Sequence, residues 1–238
     1  MSKNFGDYGA LVPQNMNEMM MQVLIAGDIS GSMYHFINSV NACINRFKSD
    51  VCKDPKAARC VETAVLAFND DVKVIQDWRP ITQMEPVELK SSGGTDMKAA
   101  LEKSLEMIID RNHLCADNGI ELKQSYMILI TDGKCEDITE IANKIKQRSA
   151  DKKMKLWVLA VEGYDKKTIA TLTDGVRVWE LADKESIDYS EFFDFMAVSV
   201  KAVSTSAPDA RVHVRHKIGD PSQGSTMKVP DLDKWLND

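Results

Sequence analysis

The stretch Met21-Gln-Val-Leu-Ile-Ala-Gly-Asp28-Ile-Ser-Gly-Ser32 is a short apolar run that stops at an aspartate and two serines, each separated by one residue. A run of this length, closed by polar turn residues, reads as a buried strand. The same sign recurs outward along the chain. Val61 to Phe68 is apolar and alternating, Asn69-Asp70-Asp71 reads as a turn, and Val72 to Ile75 as the return strand of a hairpin. Tyr126 to Ile130, Leu156 to Val161 and Val176 to Leu181 read as three more strands, the last of the set.

Helical spacing fills the intervals. Phe36, Ile37, Val40, Cys43, Ile44 and Phe47 mark one core-facing helix; Met97, Ala100, Leu101, Leu105 and Ile108 mark a second. Ile138, Ile141, Ala142 and Ile145 mark a third, Asp165 to Thr171 a short one, and Asp188 to Val203 a closing helix. Strands alternating with helices predict an α/β fold: a Rossmann-like open, mostly parallel sheet with helices on both faces and one antiparallel edge strand. Residues 1–20 read as an N-terminal tail and 21–205 as the domain. Residues 206–238, with Pro208, Pro221 and Pro230 and balanced charges, read as a polar, mostly extended C-terminal tail.

Composition narrows the function. The 238 residues suit one large core, and the 44% hydrophobic fraction is enough to fill it. A net charge of -6 disfavours phosphate backbones and anionic lipid, so neither nucleic acid nor membrane is expected as a partner. No apolar run approaches the ~20 residues of a membrane helix, and Met1 to Asn17 lacks the pattern of a secretory signal. Cys43, Cys52, Cys60, Cys115 and Cys135 form no CxxC pair, which predicts reduced thiols in a cytoplasmic protein.

In an open α/β sheet, ligands bind in the crevice beyond the carboxyl ends of the strands, where strand order reverses. Three predicted loops at such ends carry Asp28-x-Ser30-x-Ser32, Gly93-Gly94-Thr95 and Thr131-Asp132-Gly133. Asp28, Ser30, Ser32, Thr95 and Asp132 pool two carboxylates and three hydroxyls, all hard oxygen donors. That set suits Mg²⁺, with Mn²⁺ as a substitute, and does not suit zinc or copper. The two aspartates balance the ion's charge, and an octahedral ion keeps a position for a carboxylate from outside. The alternating spacing lets one loop aim Asp28, Ser30 and Ser32 at a point. Gly31 is expected to let the backbone turn between the serines, and Asp28 to sit in a solvent-facing loop.

Asp28-Ile-Ser-Gly-Ser-Met resembles the first motif of the von Willebrand factor A (VWA) family; Gly94-Thr95 and Thr131-Asp132-Gly133 resemble the second and third, in order. The resemblance spans about residues 21 to 203. It implies the VWA fold and a metal-ion-dependent adhesion site (MIDAS) built from Asp28, Ser30, Ser32, Thr95 and Asp132. In that family the hydroxyls touch the ion and the aspartates often act through water. Ser92-Gly-Gly-Thr95 and the run from Phe192 to Ser206 resemble the bacterial tellurium-resistance (TerY-like) branch. By analogy alone, that branch makes a protein kinase or a phosphatase a candidate partner.

Plainer readings compete. Ser30 and Ser32 are suitable helix caps; Asp96, Glu136 and Asp137 read as helix-start residues, and Asp70 and Asp71 as turn residues. His213 and His216 have a ligand-like spacing but no third ligand. Trp157 and Trp179 fall in predicted strands and read as core. The expected role is a protein-binding module, not an enzyme, engaging an Asp or Glu of its partner. The rivals are a Mg²⁺-dependent phosphohydrolase using Asp28 and a scaffold that metal only stabilises. Ser30 stands where haloacid-dehalogenase-type enzymes need a second aspartate, and neither a phosphate-cradling loop nor GxSxG occurs.

Overall fold

The computed structural model describes residues 18–133, 135, 137–207, 212, 214 and 217–233. Its seven strands are β1 (Met21–Asp28), β2 (Val61–Phe68), β3 (Val72–Pro80), β4 (Ser125–Thr131), β5 (Met154–Ala160), β6 (Val178–Leu181) and β7 (Met227–Lys228). Its α-helices are α1 (Ile37–Cys52), α2 (Pro55–Cys60), α3 (Met97–Asp117), α4 (Thr139–Ala150), α5 (Lys166–Thr173) and α6 (Ser190–Thr205). They form a single sheet in the order β3-β2-β1-β4-β5-β6-β7, parallel except where β3 meets β2 and β7 meets β6.

Every residue of β1, β2 and β4 is buried, as central strands of a parallel sheet must be. Successive side chains go to opposite layers. Met21, Val23 and Ile25 of β1 join the core beneath α1, α2 and α6, while Leu24 and Ala26 join the one beneath α3, α4 and α5. In the first layer Trp157 stacks on Phe195 at 5.1 Å between ring centres and meets Trp179 edge-on at 5.8 Å, so both tryptophans are core residues.

Two elements differ from the sequence reading. Helix α2 is too short to show a period, but Asp54 caps it by accepting from the backbone N–H groups of Lys56 and Ala57, with Pro55 at its first position. The chain also does not stay extended after α6. Residues 217–233 return to the sheet, where β7 adds a second antiparallel edge strand, pairing Glu180 with Lys228 and Leu181 with Met227. The Glu191 carboxylate on α6 holds this segment, accepting from Ser225 Oγ at 2.9 Å and from Thr226 N at 2.6 Å. Met227 and Leu232 are buried by the return.

The topology fixes where a site can lie. From β1 the chain steps to β2 and β3 on one side, and β4 then pairs with β1 on the other. The chain therefore leaves β1 and β4 for helices on opposite faces of the sheet, the arrangement in which such folds bind ligands at the carboxyl edge.

Candidate metal site

Asp28 is the last residue of β1 and Thr131 the last of β4. Asp28 is not in a solvent-facing loop. It is 0% exposed, because β2 pairs with it at Phe68 and Thr131 of β4 covers its carboxylate. Its Oδ1 accepts from Ser30 N at 2.8 Å, which folds the first loop back over it. Its Oδ2 accepts from Thr131 Oγ1 at 2.7 Å, and that hydroxyl in turn accepts from Gly133 N at 2.7 Å. Thr131 thus locks the first loop to the third. The Ser30 and Ser32 hydroxyls lie 3.1 Å apart, Ser30 buried and Ser32 exposed.

The second loop is clasped to the first by two backbone bonds: Gly31 N donates to Gly93 O at 2.9 Å, and Ser92 N donates to Ile29 O at 2.6 Å. Gly31 itself does not take a positive φ, so the turn between the serines does not need its freedom; this clasp sets its place. Gly133 is a glycine for space. A Cβ there would sit 2.7 Å from Thr131 Oγ1, 2.9 Å from Thr95 Cγ2 and 3.0 Å from Asp28 Oδ2. The same distances show that Thr95 and Asp28 close around Gly133, so the three loops meet at one point.

Both carboxylates are electrostatically uncomfortable. Burial pushes the Asp28 carboxyl above its ordinary range, against the hydrogen bonds from Ser30 and Thr131, and the charge of Asp132 adds to the rise. Burial raises Asp132 too, against the pull of Ser32 beside it. The Oδ1 of Asp132 is buried without a hydrogen-bond partner among the described residues, an arrangement that native proteins seldom leave uncompensated. Two buried carboxylates, an orphaned oxygen and converging hydroxyls fit a hard divalent cation, whose charge would compensate both acids. Among the described residues no group of three or more His, Cys, Asp or Glu side chains gathers as a metal cluster, at this point or elsewhere, and no two of the five cysteines form a disulfide.

The remaining sequence candidates fall outside this point. Asp96 caps α3, accepting from Ala99 N at 2.9 Å, and Asp137 accepts from Thr139 N at the start of α4. Glu136, His213 and His216 lie outside the described residues.

Two supporting residues were not singled out from sequence. Thr131 is one. The other is Asp70, which occupies the hairpin turn as read but also reaches across to the second loop. Its Oδ2 accepts from Gly94 N at 2.9 Å, while Asn69 Nδ2 donates to Ser92 O at 2.9 Å. A Cβ on Gly93 or Gly94 would come within 2.4 Å of the Asp70 carboxylate, and Gly93 has φ +77°. The double glycine is therefore shaped to fit this turn, which holds Thr95 in place. The sequence did carry a hint: the turn follows β2, the neighbour of β1, and so falls on the same edge of the sheet. Asp70→Ala is expected to weaken divalent-ion affinity roughly tenfold, as loss of an outer support does, with Asp70→Asn restoring much of it. Calorimetric titration of both variants checks this.

No family model matches the sequence, and no curated protein does. Solved structures do resemble the fold. The pilus adhesin SpaC of Lactobacillus rhamnosus GG superposes with a TM-score of 0.60 at 11% identity, over 78% of this chain and 30% of that one. A von Willebrand factor type A protein from Catenulispora acidiphila gives 0.52 at 18%, over 78% and 43%. Proximal thread matrix protein 1 of the mussel byssus gives 0.52 at 16%, over 79% and 48%. The chain spans less than half the length of each. The protein has a von Willebrand factor A-like fold. Among the described residues no helix is long and apolar enough to cross a membrane.

Proposed function

We propose that this protein is a metal-dependent protein-binding module in which Asp28, Ser30, Ser32, Thr95 and Asp132 hold one Mg²⁺, with Mn²⁺ as a substitute. The observation that carries the reading is the buried, unpartnered Oδ1 of Asp132 beside a second buried carboxylate and the converging hydroxyl loops. A bound ion would supply a Lewis-acidic position for a carboxylate oxygen from outside. The chain's own residues do the rest. Asp28 and Asp132 provide the balancing charge, Thr131 and Asp70 fix the loops, and exposed Ser32 leaves one side of the site open to solvent. The ligand we assign is an exposed Asp or Glu of a protein partner, and no residue is assigned a catalytic role. A carboxylate gives up hydration to bind, so contacts at the rim must add to the affinity. The likeness of Ser92 to Thr95 and of Phe192 to Ser206 to the tellurium-resistance branch makes a cytoplasmic protein kinase or phosphatase of a stress response the first partner to try.

Affinity capture from lysate in Mg²⁺, against capture in chelator, tests the reading. Partner recovery should collapse in EDTA and with Thr95→Ala, and change little with moderate salt, because a direct metal bond is screened less than a surface ion pair. Equal recovery in chelator overturns it.

A further inference from the structure

A cavity of about 330 Å³ opens at the carboxyl edge of β5 and β6, outside the five-residue set. Its walls include Glu162 and Tyr164 after β5, Lys166 on α5, Glu180 on β6, Lys184 and Tyr189 before α6, and Lys228 on β7. Tyr189 is 1% exposed and Tyr164 9%; the Tyr189 hydroxyl has no hydrogen-bond partner among the described residues, while that of Tyr164 faces the Glu180 carboxylate. A buried phenol without a partner is costly. The one at Tyr189, in the wall of this polar cavity, marks a place where a group arriving from outside would complete the bonding.

Charge defines that group. Lys228 pairs with Glu180 at 3.3 Å, while no salt bridge is found for Lys166, Lys184 or Glu162 among the described residues. Two ammonium groups against one carboxylate leave a positive excess, which selects an anion. Position defines where it comes from. Thr131 pairs with Ala160 across β4 and β5, so the cavity begins one strand beyond the third loop of the metal site. Burial, and then the charges of Glu162 and Asp132, push the Tyr189 hydroxyl's pKa up, which sets that hydroxyl within electrostatic reach of the same loop. One to two strand spacings amount to roughly 5–10 Å, and alternate side chains of an extended peptide lie about 7 Å apart on one face.

We propose that this cavity is a second subsite for the acidic segment bound at the metal position, taking a carboxylate two residues away from the first. The inference rests on the metal-dependent reading above and narrows its partner to an extended acid-x-acid sequence. Tyr189 donates a hydrogen bond to the second carboxylate, and Lys166 and Lys184 supply its counter-charge at the mouth.

The full chain is titrated first with Mg²⁺ alone, then in Mg²⁺ with two capped peptides, Gly-Asp-Ala-Glu-Gly and Gly-Asp-Ala-Gln-Gly. The diacid should bind roughly tenfold tighter, the worth of one charge-assisted contact. The advantage should disappear in Lys166→Gln/Lys184→Gln and shrink in Tyr189→Phe. The latter removes only an unpaired hydroxyl and keeps the ring, so the fold should hold. An equal advantage in these variants, or none in the wild type, overturns the second subsite. So does an equal gain from a lysine at the second position. Failure of Mg²⁺ itself to bind would instead remove the metal reading, and this proposal with it.

Discussion

Asp132→Asn should lower divalent-cation affinity on the order of a hundredfold, while the metal-free protein melts no lower than wild type. The two halves have one cause. The Asp132 carboxyl is 9% exposed, with one oxygen unpartnered, and its pKa is raised above 3.8 by burial. A raised carboxylate pKa means that stability falls as pH climbs from the ordinary value to the raised one, and stays reduced above it. At neutral pH the ionised side chain therefore opposes folding until a cation compensates it. Asparagine keeps the shape and removes the charge, so the cost goes together with the function. Thermal melts in chelator and titrations with Mg²⁺ read the two halves separately. A variant that loses binding only because it unfolds would argue for a structural role.

Glu62→Ala is expected to do the reverse, costing about 3–5 kcal/mol of stability without acting on the metal site directly. Arg111 of α3 reaches Glu62 of β2 with two bonds, Nε to Oε2 at 2.9 Å and Nη2 to Oε1 at 2.5 Å. The side chains are 1% and 0% exposed. Removing the acid alone leaves a guanidinium in the sheet–helix interior without the carboxylate that balances its charge. Replacing both partners with apolar residues, as in Glu62→Leu/Arg111→Met, should recover most of the loss, because the pair's attraction is largely offset by its desolvation. Urea unfolding of the single and double variants measures this. A single variant as stable as wild type would show that the guanidinium finds water or another acceptor. The contrast with Asp132 would separate a pair that holds the fold from a residue proposed to strain it for binding.

The sheet was legible because β1, β2 and β4 are buried on both faces and so write themselves as apolar runs; the carboxyl-edge loops were legible because they interrupt those runs. What stayed hidden lacked periodicity or depended on distant contacts. Helix α2 spans only Pro55–Cys60, and β7 is two residues long, held by a glutamate more than thirty positions earlier. Asp28 was readable as the residue that closes the first apolar run but not as buried, since its exposure depends on neighbours at Phe68 and Thr131. Asp70 was legible as a turn residue. Its grip on Gly94 crosses 24 positions and has no local signature. The cavity lined by Tyr164 and Tyr189 joins three separate segments, none of them marked by a motif.

Isothermal titration of metal-stripped protein with Mg²⁺, repeated on Asp132→Asn, tests the central claim most directly. The expected result is one ion per wild-type chain and an affinity about a hundredfold weaker in the variant. Undiminished binding to the variant, no binding to the wild type, or a preference for Zn²⁺ through the cysteines would contradict it.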